Sequence, residues 1–348
     1  MARDMIQPRP LGRGDRVAVL SPSWAVPADY PDVHEQAMRR LRDTVGVDPI
    51  ELSTTRRHST AKERADDLNA AFADPSIRAV LATIGGDDQV TVLRHLDPAL
   101  ALSDPKPFIG YSDNTNLLNW LWFHGLASVH GGSTQVHLGP GPGIDEGHLS
   151  SLQAALFGGE ITLELPRRSR DTGLDWEDPR ALTDFGPDAP AEPWTWAGPA
   201  TCVEGPTWGG NLEVLTWTMV ANRWVMPNEW YAGCVLLLET SEDRPSPLEV
   251  YRMLRNMGER GLLAMFPALI WGRPPAGDNA HPGSPQNAIA LRAANRAAVL
   301  RAVNEYHPTM VVAMDVDFGH TIPQYVLPYG GQVRVDGENR LIRAQFSR

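Results

Sequence analysis

The chain is poor in the features that mark several large classes of protein. It has only two cysteines in 348 residues, Cys202 and Cys234, which is too few for a disulfide scaffold and lacks the CxxC spacing of a redox or zinc site. No apolar run approaches the ~20 residues that a membrane helix needs. Residues 1–10 have no apolar stretch typical of a secretory signal. We therefore expect a cytoplasmic protein with no membrane partner.

Positive charge is also scarce. The 31 lysine and arginine residues are outnumbered by 42 aspartate and glutamate residues, which gives a net charge of −11. Nucleic acids and anionic membranes bind basic surfaces, so neither is an expected partner. The sequence has no HExxH motif, no clustered Cys/His spacing, and no GxGxxG or Walker motif. We therefore expect neither a metal nor another cofactor.

The length and the pattern of the chain are typical of a globular protein with two domains. Hydrophobic residues make up 42% and charged residues 21% of the chain, and the length corresponds to two domains of ~150 residues. In residues 1–165, short apolar runs alternate with helical patterns, which predicts an α/β domain on a parallel sheet. The predicted strands are 16–21, 47–52, 78–84 and 107–110, and the predicted helices are 32–45, 61–72, 114–124 and 146–157.

The second half of the chain begins after a long interruption. Residues 166–200 are polar and rich in proline and tryptophan, and we predict a linker that also covers the functional site. Residues 201–348 predict a second α/β domain with its own sheet, which ends in a hairpin around Asp336-Gly337. Its predicted strands are 233–239, 263–271 and 309–316, and its predicted helices are 212–220, 247–260 and 288–306. Ligands of such sheets bind beyond the carboxyl ends of the strands.

The sharpest local feature is a serine between a predicted strand and a predicted helix. Phe108-Ile-Gly-Tyr-Ser112 runs directly into a helical stretch, as in the nucleophile elbow of serine hydrolases. The helix N-terminus would aim free amides at developing negative charge. The match is partial, because Asn114 stands where the elbow pattern has glycine. The alternative interpretation is that Ser112 or Asp113 caps the helix.

A serine nucleophile needs a base and a carboxylate that orients it. His320 follows an apolar run and a glycine, which places it at the end of a predicted strand. His130, His137 and His281 are the alternatives, and a structural role in the core would also fit His320.

Glu239 ends another predicted strand, so its side chain could reach the same crevice. Glu242 and Asp243 compete with it from the following loop, and a solvated loop acid is the alternative interpretation. The residues thus suggest a triad in the order Ser112, Glu239, His320.

Two further features could contribute to such a site. Gly85 and Gly86 follow a predicted strand and would let backbone amides approach a substrate closely. With the amide of Asp113 they could form an oxyanion hole, although paired glycines also form ordinary turns. The three tryptophans of the long interruption could stack on a planar ligand group, or could instead pack their own loop. These tryptophans are Trp176, Trp194 and Trp196.

In this order and spacing, the motifs resemble the LD-carboxypeptidase family of serine peptidases, and within it the branch of microcin C immunity proteins. The resemblance covers nearly the whole chain. The motifs that carry it are Gly12-Arg-Gly-Asp15, Glu63-Arg-Ala-Asp-Asp-Leu68, Phe72-Ala-Asp74, Ile84-Gly-Gly86, Lys106-Pro-Phe-Ile-Gly-Tyr-Ser-Asp113, Gly209-Gly-Asn-Leu212, Leu238-Glu-Thr240, Gly319-His320 with Pro323, and Leu327-Pro-Tyr-Gly330.

The resemblance implies a Ser-Glu-His triad at Ser112, Glu239 and His320, in a site between an N-terminal α/β domain and a C-terminal domain with its own sheet. It implies an oxyanion hole from amides near Gly86 and Asp113, substrate contacts at Gly85, Asn211 and the loop tryptophans, and a homodimer. Family members hydrolyse an amide bond close to a free carboxyl terminus. The long tryptophan-containing loop resembles the branch whose substrates are aminoacyl-nucleotides.

Two other functions remain open from the sequence. One is a murein tetrapeptide LD-carboxypeptidase of cell-wall recycling. The other is a protein that binds a nucleotide conjugate without catalysis.

Overall fold

Two β-sheets organise the chain. The computed structural model describes residues 4–277 and 284–347, so His281 lies outside the described residues. The α/β class with one sheet in each half, predicted from the alternation of strands and helices, is confirmed. Within the described residues, no helix is both long and apolar enough to cross a membrane.

The first sheet has the order β2-β1-β3-β4-β5-β14, with five parallel strands and an antiparallel edge. Its central strand β3 is buried along its whole length, as expected for a parallel sheet covered by helices on both faces. The strands are β1 (Arg16–Leu20), β2 (Asp48–Glu51), β3 (Ile77–Ala82), β4 (Phe108–Gly110), β5 (Ser128–His130) and β14 (Leu327–Tyr329).

The second sheet has the order β6-β16-β15-β10-β11-β12-β13-β9. Strands β10 to β13 are parallel to one another, and the remaining pairs are antiparallel. The strands are β6 (Glu160–Thr162), β9 (Thr195–Ala197), β10 (Cys202–Asn211), β11 (Val235–Glu239), β12 (Ala268–Gly272), β13 (Val311–Val316), β15 (Gln332–Asp336) and β16 (Leu341–Gln345). Strands β15 and β16 form the hairpin predicted around Asp336-Gly337. A separate ribbon pairs β7 (Arg168–Ser169) with β8 (Ala189–Pro190).

Helices connect the parallel strands, and several of them begin at residues whose side chains satisfy free backbone amides. Helix α3 starts at a capping box, in which Thr60 accepts from the amide of Glu63 and the Glu63 carboxylate accepts from the amide of Thr60. The helices are α1 (Val26–Asp29), α2 (Pro31–Arg40), α3 (Ala61–Ala73), α4 (Pro98–Ser103), α5 (Thr115–Phe123), α6 (Glu146–Phe157), α7 (Leu212–Ala221), α8 (Pro247–Glu259) and α9 (Pro285–Tyr306).

The two halves of the chain exchange strands, so the division of the sequence at residues 165 and 200 differs from sheet membership. Strand β6 precedes residue 165 but forms an edge of the second sheet, and β14 lies late in the chain but extends the first. Strand β9 lies inside the stretch 166–200 and pairs with β13. These exchanges depend on pairing between segments far apart in sequence. They tie the two sheets together around the crevice where β1, β3, β4, β11 and β13 end.

Candidate active site

Ser112 occupies a sharp turn between strand β4 and helix α5. Its φ is +62°, in the left-handed region that serine rarely adopts. A single 3-10 turn over Ser112–Asn114 then leads into α5. Strained backbone of this kind persists only where the surroundings hold it, and it is concentrated at functional sites. The turn has the strand–serine–helix geometry of a nucleophile elbow.

The structure explains why Asn114 is tolerated in place of the glycine of the elbow pattern. Its side-chain amide donates to the carbonyls of Ile84 and Tyr111, each at 3.0 Å. Its carbonyl accepts from Gln89 at 2.7 Å. A Cβ at Gly110 would lie 3.0 Å from the Asn114 side chain, so the missing side chain at Gly110 makes the space. Asn114 thus joins the ends of β3 and β4 behind the serine.

Glu239 and His320 meet at the ends of β11 and β13, as the sequence order suggested. The imidazole Nδ1 of His320 lies 2.5 Å from Oε2 of Glu239, and the Glu239 side chain is fully buried. A Cβ at Gly272 or Gly319 would fall within 3.0 Å of the Glu239 Cβ. These two glycines therefore let the carboxylate sit deep between strands and face the imidazole.

The charges of this pair stabilise each other. Burial alone would lower the pKa of His320, since it disfavours the charged ring. The Glu239 carboxylate, with smaller contributions from Glu242 and Glu213, overcomes that effect and raises the pKa of His320 to about 9. Burial would raise the pKa of Glu239, but the facing imidazole keeps it below its usual value. At neutral pH the resting pair is therefore an imidazolium and a carboxylate.

The other histidines near the site behave differently. Burial lowers the pKa of His130 and of His148 to about 4, and lowers the pKa of His137 well below its usual value. The rings of His137 and His148 stack with centroids 4.7 Å apart. These three rings are therefore neutral and pack in the core, which separates His320 from the alternatives His130 and His137.

Ser112 and His320 line one cavity of about 310 Å³. Within the described residues, no hydrogen bond joins Nε2 of His320 to the Ser112 hydroxyl, and Oε2 of Glu242 lies 3.3 Å from this nitrogen. The Tyr111 ring packs against the imidazole, with the centroids 4.9 Å apart. His320 and Ser112 thus border the same cavity.

Gly85 lies against the serine, and Gly85 and Gly86 both line the cavity. A Cβ at Gly85 would lie 2.9 Å from the Ser112 hydroxyl oxygen and 3.2 Å from the backbone nitrogen of Asp113. The Asp113 carboxylate points the other way, and it accepts hydrogen bonds from Ser23 at 2.5 Å and from the backbone amide of Gln89 at 2.9 Å. Its inward position leaves the Asp113 amide at the elbow beside the glycines.

Asn211 lies beside Glu239. It ends β10 directly beside Glu239 in the sheet register, and its carbonyl accepts from the amide of Val214 to cap α7. Its side-chain amide also helps to lower the pKa of Glu239. Asn211 is only 1% exposed and, among the described residues, is not part of the cavity wall. The structure therefore places Asn211 beside Glu239 in the sheet and outside the cavity wall.

The three loop tryptophans occupy different places. Trp176 lines the cavity together with Trp24, and the two rings lie 6.4 Å apart. Trp194 and Trp196 flank and form strand β9, and both pack against the core of the second sheet. The Trp194 indole donates to the buried Asp317 at 2.8 Å. In the part of the chain that the structure describes, Trp194 and Trp196 do not line the cavity.

Arginines hold the loop over the cavity. Arg170 pairs with Asp145 at 2.9 Å, and Arg292 on α9 pairs with Asp171 at 2.6 Å and Glu192 at 2.7 Å. The residues between these anchors and Trp176 form one wall of the cavity. These ion pairs therefore connect the loop that lines the cavity to both halves of the chain.

Sequence reasoning missed several residues of the cavity wall. Trp24 follows β1, so the rule that ligands bind at the carboxyl ends of parallel strands could have found it. Arg170 and the side chain of Tyr111 gave no comparable signal.

No group of three or more His, Cys, Asp or Glu residues within ranges 4–277 and 284–347 is placed to hold a metal ion.

Comparison with known protein families gives two matches. Residues 17–131 match the LD-carboxypeptidase N-terminal domain, and residues 204–335 match the LD-carboxypeptidase C-terminal domain. Together the two models span more than half of the chain.

Two named relatives are similar to the chain. The microcin C7 self-immunity protein MccF of Escherichia coli is 29% identical over 82% of this chain and 79% of its own length. The murein tetrapeptide carboxypeptidase of Pseudomonas aeruginosa is 35% identical over 42% of this chain and 58% of its own length.

Solved structures of MccF share the fold. The apo protein superimposes with a TM-score of 0.83 at 24% identity, over 98% of both chains. A complex of MccF with glutamyl sulfamoyl guanosine gives a TM-score of 0.82 at 24% identity, over 97% of this chain and 98% of that one.

Proposed function

The chain belongs to the LD-carboxypeptidase family and is a serine peptidase, and on that premise we propose that Ser112, Glu239 and His320 form its catalytic triad. The observation that carries the proposal is the left-handed turn at Ser112, which opens into the same cavity as an imidazole paired with a buried carboxylate. A serine that merely caps a helix does not need that strained backbone. A purely binding protein does not need the paired imidazole.

The proposed reaction is acyl transfer followed by hydrolysis. The Ser112 oxygen attacks the carbonyl carbon of the scissile amide while Nε2 of His320 takes the hydroxyl proton. The amides of Gly86 and Asp113 stabilise the oxyanion, an effect of about 3 kcal/mol for each donor. His320 then gives the proton to the leaving nitrogen, and the C–N bond breaks. Water attacks the acyl-serine with His320 again as the base, which releases the acid and restores Ser112.

Within this reaction we propose aminoacyl-nucleotide conjugates as the substrates. Trp24 and Trp176 place two aromatic faces in the cavity wall, and such faces stack on planar bases. The cavity volume of about 310 Å³ is in the range of small-molecule sites. The relative MccF is named for immunity to microcin C7, and one of its solved structures holds glutamyl sulfamoyl guanosine. Gly85 and Trp176 are the proposed substrate contacts that line this cavity.

A murein tetrapeptide is the second candidate substrate, because the Pseudomonas aeruginosa relative of that name is 35% identical over its matched segment. A side-by-side assay with an aminoacyl-sulfamoyl adenosine and a muropeptide tetrapeptide separates the two. We expect kcat/KM to be higher for the nucleoside, and Trp176→Ala to raise KM for the nucleoside alone. Faster release of D-alanine from the tetrapeptide would assign the protein to cell-wall recycling. Tight binding without turnover of either compound would favour a non-catalytic binding protein.

Activity is expected to rise with pH between about 7 and 9. His320 can accept the serine proton only when its ring is neutral, and its pKa is raised to about 9. Below that value, kcat/KM should increase by about tenfold per pH unit and then level off. A buffer series at constant ionic strength measures this dependence, and a flat profile from pH 7 to 9 would contradict it.

The same shift affects stability with a definite sign. Because the pKa of His320 is higher in the folded than in the unfolded chain, the stabilisation from this group is complete below about pH 6.5, the unfolded value. It is lost as the pH rises through about 9. The thermal midpoint of unfolding is therefore measured at each pH, because unfolding at high pH would also lower the measured rate.

Gly85→Ala is expected to lower kcat/KM by about 10²-fold, because displacing reacting groups by about 1 Å has effects of this size. The added Cβ would lie 2.8 Å from the Ser112 Cβ and force the nucleophile to move. Gly143→Ala is the matched control, since a Cβ there meets no heavy atom within 4 Å. Equal activity of both variants, with equal thermal midpoints, would remove Gly85 from the proposed site.

We also propose a cytoplasmic homodimer. Cys202 and Cys234 are free thiols, as a reducing compartment favours. Trp217 and Val220 on α7 are 54% and 83% exposed and lie three residues apart on one helical face, which suits a contact between copies. Light scattering should give twice the chain mass, and Val220→Lys should shift the protein to monomer. A monomeric wild-type protein would contradict the dimer.

A further inference from the structure

The loop after strand β11 places a second carboxylate beside the imidazole. Glu242 follows Glu239 by three residues and lines the cavity with Ser112 and His320. Its Oε2 lies 3.3 Å from Nε2 of His320, the nitrogen opposite the one that faces Glu239. Its side chain is 65% exposed, so the carboxylate is accessible to a ligand in the cavity.

The backbone that carries Glu242 is held in place. The carboxylate of Glu213 in the first turn of α7 accepts hydrogen bonds from both the amide and the hydroxyl of Ser241, at 2.9 and 2.7 Å. Glu213 is itself 5% exposed, so this anchor is buried. Glu242 is therefore presented to the cavity by a fixed loop rather than by a freely moving one.

The charge of Glu242 lies in the cavity wall beside the imidazole. Arg170, which also lines the cavity, pairs with Asp145, and Asp171 pairs with Arg292. The contact that the structure shows for Glu242 is with the imidazole, which must lose its proton to act as a base. Once His320 is neutral, an anionic carboxylate remains next to the reacting centre and favours a cation there.

We propose that Glu242 binds the α-ammonium group of the amino acid whose carbonyl is attacked by Ser112, so that the enzyme selects acyl residues with a free amino group. This inference rests on the proposed function. In an aminoacyl amide the α-nitrogen is two bonds from the attacked carbonyl carbon. A carboxylate 3.3 Å from the nitrogen that exchanges protons with the reacting atoms is within reach of that ammonium. An acyl residue whose α-nitrogen is in a peptide bond, as in a tetrapeptide, carries no such charge.

The test compares alanyl-sulfamoyl adenosine with its N-acetyl derivative, using the wild-type protein, Glu242→Gln and Asp243→Asn. The wild type should prefer the free amine, and Glu242→Gln should reduce the ratio of the two kcat/KM values by about tenfold, the effect of one charged hydrogen bond. Asp243 is the matched loop acid outside the cavity wall, and its variant should keep the wild-type ratio. Because any change in the basicity of His320 affects both substrates alike, the ratio reports the ammonium contact.

An unchanged ratio in Glu242→Gln would overturn the inference and leave the proposed function intact. Hydrolysis of neither compound by the wild type would instead count against the proposed substrate class. In that case the same two compounds serve as ligands in calorimetry. Loss of about tenfold in affinity for the free amine alone in Glu242→Gln would support the ammonium site. Equal loss for both compounds, or none, would overturn it.

Discussion

Ser112→Ala is expected to lower kcat/KM for amide hydrolysis by at least about 10⁴-fold, because removal of a triad nucleophile eliminates the covalent route. The fold should survive, because alanine takes the same positive φ that serine already has at this position. In addition, the Ser112 hydroxyl makes no hydrogen bond among the described residues, so the substitution removes none. The measurement is initial rate with an aminoacyl-sulfamoyl adenosine, together with the thermal midpoint. Binding of the substrate should persist in the variant.

Ser150→Ala is the control for that experiment, because this exposed serine on α6 bonds only to the carbonyl of Gly147. It should retain wild-type kinetics. Turnover by Ser112→Ala at more than about one per cent of the wild-type rate, in protein free of wild-type contamination, would exclude Ser112 as the nucleophile.

Glu239→Gln is expected to lower kcat by about 10⁴-fold, the effect of neutralising the acid that orients a triad histidine. The substitution preserves shape but removes the charge that faces Nδ1 of His320 at 2.5 Å. Because Glu239 is the main group that raises the pKa of His320, the residual activity should reach its plateau at a lower pH than in the wild type. The pH profile of the variant therefore separates a role through His320 from a loss of folding.

Glu204→Gln is the matched control, since Glu204 is an exposed acid on the neighbouring strand β10. It should leave both the rate and the pH profile unchanged. A Glu239→Gln variant with a large loss of rate but an unshifted profile would mean that the carboxylate does not act through the imidazole.

The positions of the three proposed triad residues at strand ends could be predicted, because each lies at the end of a strand or shortly after it. The carboxyl ends of parallel strands meet at one edge of a sheet. The sequence also shows a glycine beside two of these ends, Gly110 before Ser112 and Gly319 before His320. The positive φ of Ser112 could not be predicted from the sequence, because it depends on the hydrogen bonds that Asn114 donates to Ile84 and Tyr111 in the folded chain. The sequence pattern predicted a serine between a strand and a helix, and the tertiary contacts of Asn114 hold the φ of that serine at +62°.

The cavity wall was harder to predict because it depends on contacts between distant segments. Trp176 and Trp194 lie in the same polar stretch, and the sequence offered no way to tell them apart. Strand β9 is only three residues long, and its pairing with β13 turns Trp194 and Trp196 toward the core. Glu242 was named as a competing loop acid, but its approach to His320 rests on the anchor between Ser241 and Glu213.

The most direct test of the triad is reaction of the protein with a fluorophosphonate, followed by mass spectrometry of the digested chain. The account predicts one adduct, on the peptide that contains Ser112, and loss of that adduct in His320→Gln at the pH where the wild type is labelled. An adduct on another serine, or labelling of Ser112 that is undiminished without His320, would contradict it.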